Sequence, residues 1–234
     1  MKTRITYVVN SNFGFHIVST KVLFNSLDTT GEDWRQHFVV IVGESPVNET
    51  KIIDGVKHIF VTYGAIDFVA ANYITDHVNE FNKYVFYMHD TCYVGPTFFS
   101  NVDKFQGIYY KRLRFRYSMN IGLFKTELFQ EFQPTIKQLR FDTMRYDIIQ
   151  GYKELGIQYE DILSRLVEEH PTMQHKQVLG DAYHFNNDEE ICYGDVDLYG
   201  TGVLRQIIYI PELDFYKAKA NIGMKPKNNW IIQL

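Results

Sequence analysis

The chain has 234 residues, of which 45% are hydrophobic, 22% charged and 16% aromatic, with a formal net charge of −4. That length suits one domain with a sizeable core, the composition excludes a disordered chain, and the weakly acidic balance gives no general basic field for nucleic acid. The two cysteines, Cys92 and Cys192, show no CxxC spacing and indicate neither a disulfide framework nor a thiolate zinc site.

The opening run, Ile5 to Val9, is a short apolar strand, too short for a signal peptide, and no stretch is long enough to span a bilayer. A soluble, cytoplasmic protein with reduced thiols is expected. The strand ends in Asn10-Ser11-Asn12, and Phe15 to Leu27 then carries apolar residues at helical spacing, with Ser or Asn available as cap. The loop between them lacks GxGxxG and GxxxxGK[ST], so neither a dinucleotide fingerprint nor a P-loop is present, while Asn10 and Ser11 remain available for a base or ribose.

His37 to Val42 reads as a second strand, closed by Gly43-Glu44-Ser45-Pro46, and Ile59 to Thr62 as a third. Ile66 to Phe81 has helical spacing. Asp67 at its start either complements the helix dipole or contacts a ligand. Val85-Phe86-Tyr87-Met88 has no polar face, as in a central strand covered on both sides. It delivers His89 and Asp90 to its end, and the whole stretch from Lys83 to Val94 reads as one strand broken at Gly95-Pro96. Burying ionisable groups there is costly unless they meet solvent, a cation or a ligand, and open α/β sheets bind ligands beyond the carboxyl ends of their strands. The alternative is an Asp90 that caps the following turn. This order predicts an α/β fold: a mostly parallel, Rossmann-like sheet flanked by helices, with Asn10, Gly43, Tyr63 and Asp90 along its ligand edge.

Gly107 to Tyr117 alternates as a strand carrying the basic cluster Lys111-Arg112-Leu113-Arg114-Phe115-Arg116. Ser118 to Lys125 reads as a small-polar turn and Thr126 to Phe132 as a helix. Tyr146 to Leu155 is helical, stopped at Gly156, and a further helix opens with Glu160-Asp161 in its first turn, where acidic residues are favourable on any helix. Farther on, Gly200-Thr201-Gly202 is a common turn pattern, and Asp195-Val196-Asp197 follows no long buried strand and reads as loop or second-site acidity. Val203 to Ile210 is a strand, and the tail from Lys217 is basic and polar up to Trp230-Ile231-Ile232.

Taken together, the strand ending His89-Asp90-Thr91-Cys92, the segment Ser118-Met119-Asn120-Ile121-Gly122-Leu123-Phe124 and the pair Glu160-Asp161 resemble the nucleotide-sugar-dependent glycosyltransferases of the GT-A fold, over roughly residues 5 to 185. The resemblance implies a single GT-A-like catalytic domain over 1–234, with 186–234 as an extension packing on it. It implies a donor site of Asn10, Asp67, His89, Asp90, Asn120, Gly122, Lys111 and Arg205. It also implies Mn²⁺ or Mg²⁺ on Asp90 with His184, or else His170 or His175, and Asp161 as base, with Glu160 as alternate, in an inverting transfer. The partners implied are a UDP-, GDP- or dTDP-linked sugar and a glycan or glycoconjugate acceptor, with no nucleic acid and no transmembrane segment. The family's Asp-x-Asp has a soft thiol, Cys92, in its second place. Fixed charge from Lys111, Arg112 or Arg205 is the alternative to the metal, and a non-catalytic nucleotide- or carbohydrate-binding domain of the same fold is the alternative function. A nucleotidyltransferase is disfavoured, because no Gly-rich basic loop follows the first strand.

Overall fold

The structure is a computed structural model and describes residues 5–104, 110–114, 121–140, 162, 163, 166, 177–181, 183–185 and 204–220. Its strands are β1 Ile5–Asn12, β2 Phe38–Gly43, β3 Glu49–Ile53, β4 Val56–Phe60, β5 Tyr84–His89, β6 Cys92–Val94, β7 Tyr110–Arg114, β8 Gly122–Lys125, β9 Gln177–Asp181, β10 Tyr183–Phe185, β11 Leu204–Ile210 and β12 Phe215–Ala220. The helices are α1 His16–Asp28, α2 Val69–Asp76, α3 Phe98–Asp103, α4 Glu127–Glu131 and α5 Gln133–Lys137. An eight-stranded sheet runs β3-β4-β2-β1-β5-β8-β7-β9, and a four-stranded sheet runs β10-β11-β12-β6. The chain divides into two compact units, one of residues 1–13, 33–89 and 107–179, the other of 14–32, 90–106 and 180–234.

In the first unit the centre of the sheet, β4-β2-β1-β5, is parallel throughout. The flanking strands β3 and β8 run antiparallel to their neighbours. This is the α/β sheet with a parallel centre and covering helices that the strand-helix alternation predicts. β1 and β5 are buried almost end to end, because apolar residues fill both of their faces. On one face Tyr7 stacks on Phe38 with centroids 4.8 Å apart, and Trp34 meets Phe38 edge-on at 5.2 Å. On the other, Val8, Ile41, Val85 and Tyr87 join Val69, Ala70 and Ile74 of α2 and Leu128 and Phe129 of α4 in one core.

Several local expectations are corrected. β3 and β4 form a hairpin whose two linking residues, Asp54 and Gly55, have φ of 50° and 79°, the type I′ geometry that Asp-Gly favours. The helix predicted over Ile66 to Phe81 is three pieces: a 3-10 turn at Ile66–Phe68, then α2, then a 3-10 turn at Val78–Glu80. His77 leaves helical geometry at φ −132° and ψ 31°, and its Nδ1 lies 2.9 Å from Glu80 Oε1. Gly122 belongs to β8, beside β5, rather than to a turn. Cys92–Val94 does not extend β5 but pairs with β12.

The second unit holds the antiparallel sheet with α1 and α3. Tyr93 of β6 stacks on Tyr216 of β12 at 4.6 Å, and Phe98 of α3 lies 5.9 Å from Phe215. Gly95 is required there: a Cβ would sit 2.1 Å from the Asp214 carboxylate, which accepts hydrogen bonds from the backbone N–H and hydroxyl of Thr97.

Candidate functional site

In the first unit the carboxyl edge of the parallel strands is built by one chain crossing. Adjacent strands lie about 4.8 Å apart, so from β4 past β2 and β1 to β5 is three spacings, about 14 Å. The chain leaving β4 covers that distance directly over the strand ends. At the end of β2 the Tyr63 carbonyl oxygen accepts the Glu44 N–H at 2.9 Å, and Val69, which opens α2, lies so close that a Cβ on Gly43 would meet its Cγ2 at 2.5 Å. At β1 it is held by Asn10, whose Nδ2 donates to the Ile66 carbonyl oxygen at 3.1 Å while Oδ1 accepts the Ala70 N–H at 2.9 Å. At β5 the Tyr87 hydroxyl lies 2.7 Å from the Asp67 carbonyl oxygen and 3.1 Å from Asn10 Oδ1. With one hydrogen it donates chiefly to the nearer. Burial first, then the Asp67 carboxylate, pushes this hydroxyl well above the usual phenol range, so it remains a donor. Ile66, a β-branched residue, is held at φ 49°, which costs of order 1–3 kcal/mol and persists only where the surroundings over-determine it.

The crossing sets Asp67 against His89. Asp67 Oδ1 is 3.5 Å from His89 Nδ1, with the imidazole side chain 5% exposed and the carboxylate 39% exposed. One end of this acid-imidazole pair is therefore sealed and the other faces outward. Asn10 itself spends both ends of its amide on the protein. At the ends of β1 and β2, Asn12 Nδ2 donates to Glu44 Oε2. Glu44 sits at φ 59°, and burial pushes its carboxyl above the usual range against the opposing effect of Asn12. Glu44 was legible only as part of a strand-closing turn. The signals that mark it, desolvation and a left-handed backbone, are structural. Nearby in the same unit, the Arg140 guanidinium stacks on the Tyr63 ring 4.1 Å from its centroid.

In the second unit, Asp90 Oδ2 accepts a hydrogen bond from the Ser19 hydroxyl of α1 at 2.6 Å. Lys217 Nζ donates to Thr91 Oγ1. Cys92 is fully buried in β6.

Of the other residues singled out in the sequence, Gly122 pairs with Tyr87 across β5 and β8. Lys111 lies on β7, His184 on β10 and Arg205 on β11. Asn120, Glu160 and Asp161, with His170 and His175, lie outside the described residues. Among the described residues no group of three His, Cys, Asp or Glu side chains is arranged to hold a metal ion. Among the described residues, the carboxylate of Asp90, engaged by the Ser19 hydroxyl, and the sealed thiol of Cys92 do not by themselves fit a hard divalent cation. No described helix is long and apolar enough to cross a membrane.

The fold and these clusters define an α/β protein with acidic, imidazole and hydroxyl groups gathered at strand ends. No protein-family model matches the chain, and no curated protein matches it. Among solved structures it is similar to the apo-form glycosyltransferase GlyE of Streptococcus pneumoniae TIGR4, at 14% identity and a TM-score of 0.37, over 67% of this chain and 43% of that one. The chain thus spans less than half the length of that protein, and a likeness of this degree carries no argument about function.

Proposed function

We propose that the chain transfers a sugar from a nucleotide-sugar donor to a hydroxyl of a glycan or glycoconjugate. The observation that supports this reading is β5: a strand buried along its whole length that ends at His89 and is followed by Asp90, a carboxylate held by the Ser19 hydroxyl at 2.6 Å. In this reading Asp90 serves the donor, and Asp161, with Glu160 as alternate, takes the proton of the acceptor hydroxyl. The acceptor oxygen attacks the anomeric carbon in line, the bond from that carbon to the diphosphate oxygen breaks, and the nucleoside diphosphate leaves with the electron pair. The anomeric centre is inverted. Asn10 is the positioning residue of the Asp67–His89 pair, since it fixes the segment that carries Asp67.

The buried thiol of Cys92, where the resembled motif has a carboxylate, supports a second reading: a nucleotide- or carbohydrate-binding domain without catalysis. Thermal shift with UDP-, GDP- and dTDP-sugars, with and without Mn²⁺, on wild type and Asp90→Ala decides whether a donor binds and whether a metal takes part. Nucleotide-dependent stabilisation that Asp90→Ala abolishes is expected, and its absence for every donor sinks the transferase reading and leaves only carbohydrate binding of the second. Release of nucleoside diphosphate, lost in Asp161→Asn with donor binding retained, separates transfer from binding alone.

A further inference from the structure

The point at which the described residues fail to make a metal site is also where the second unit carries a lysine with no carboxylate partner among the described residues. Lys217 of β12 lies directly opposite Cys92 of β6 in the antiparallel register. The lysine is 4% exposed, and its Nζ donates to Thr91 Oγ1. No carboxylate among the described residues lies within 4 Å of that ammonium. The neighbouring carboxylate, Asp90, turns its Oδ2 to the Ser19 hydroxyl instead.

An ammonium has three hydrogens to place, and among the described residues one neutral hydroxyl takes only one of them. An anion would take the others. The Thr91 oxygen accepts from the lysine, so its own hydrogen is free to be donated to the same anion. Position 92 sharpens the point. A carboxylate there would face Lys217 across the strands and neutralise it; the thiol leaves the charge standing.

We propose that Lys217 and Thr91 form the seat of a diphosphate group, the Lys217 ammonium supplying the positive charge that a second carboxylate and its cation would otherwise bring. That the diphosphate belongs to a sugar donor rests on the function proposed above; the seat itself does not.

The test is thermal shift with inorganic pyrophosphate in EDTA, with sulfate at matched ionic strength as the control, on wild type, Lys217→Met, Lys217→Arg and Thr91→Val. Wild type is expected to show a saturable rise in Tm with pyrophosphate that sulfate does not reproduce. Lys217→Met is expected to fold with a ligand-free Tm no lower than wild type, since a buried charge with no carboxylate partner among the described residues has been removed, and to lose at least tenfold in pyrophosphate affinity. Lys217→Arg is expected to retain most of the binding, and Thr91→Val, which keeps the lysine, to weaken it several-fold. Absence of pyrophosphate stabilisation in wild type, or affinities within threefold of wild type in Lys217→Met, overturns the proposal. If Lys217→Met does not fold, unchanged affinity in Thr91→Val overturns it equally. Pyrophosphate binding through Lys217 in a protein that no nucleotide-sugar stabilises leaves the seat in place and refutes the donor reading alone.

Discussion

Asn10 of β1 donates a hydrogen bond to the carbonyl oxygen of Ile66, 56 residues later, and so holds a β-branched residue in a left-handed conformation. The same amide oxygen accepts from the Ala70 N–H and faces the Tyr87 hydroxyl. Asn10→Ala leaves these buried groups without their partner, and a loss of about 2–4 kcal/mol in urea unfolding is expected. Tyr87→Phe removes only the hydroxyl and should cost about 1 kcal/mol. An Asn10→Ala loss below about 0.5 kcal/mol, the size of an ordinary surface change, would show that the strut does not carry the crossing.

Gly43 is expected to tolerate no side chain while Val69 stands over it. Gly43→Ala places a methyl 2.5 Å from Val69 Cγ2, an overpacking worth about 1–3 kcal/mol. Adding Val69→Ala opens the space, so the double variant should be more stable than the sum of the single changes implies. Additive values in the double-mutant cycle would deny the contact.

Glu44 sets a pH dependence whose sign is fixed by burial. Its folded-state pKa is raised, so between its unfolded value and that higher one the native state binds more protons than the unfolded state, and stability falls as pH rises through this window. Glu44→Gln keeps an oxygen for Asn12 and removes the charge. Above the window the variant should melt higher than wild type, by about 1–3 °C, and below it the two should converge. Parallel Tm curves from pH 4 to 8 would argue against a buried carboxylate here.

Cys92→Asp places a carboxylate opposite Lys217. In protein shown by circular dichroism to be folded, pyrophosphate affinity in EDTA should fall about tenfold as the ammonium acquires an internal partner, and a Mn²⁺-dependent thermal shift should appear. Pyrophosphate affinity equal to wild type would mean that the two positions do not share a field.

Elements whose signal is local are legible in the sequence. α1 and β2 each lie within a residue of their expected places, β1 begins at Ile5 as expected, and β5 covers the apolar run Val85 to Met88 that marks it. β3 escaped because its pattern is polar on an exposed edge, although Asp54-Gly55 is a hairpin signal. β8 resembles a turn locally because Gly122 is small and the pairing that makes it a strand comes from β5, 35 residues earlier. The separation of Cys92–Val94 from β5 depends on β12, which offers the pairing partner more than 100 residues away. The site behaves alike: His89 and Asp90 were legible at the end of an apolar run, whereas the roles of Asn10, Glu44 and Lys217 come from partners far along the chain, or from burial that no local pattern records.

The hydrogen bonds that seal the crossing join residues 56, 60 and 77 positions apart. Closing such loops costs entropy that nothing local repays, and the β1–β5 pairing, from Ile5–Tyr84 to Asn10–His89, has to close a loop of the same order. During synthesis, the end of β1 stays open to water until the chain has grown through Tyr87. The Asp67–His89 pair at 3.5 Å therefore depends on contacts that come from three separate stretches of the chain.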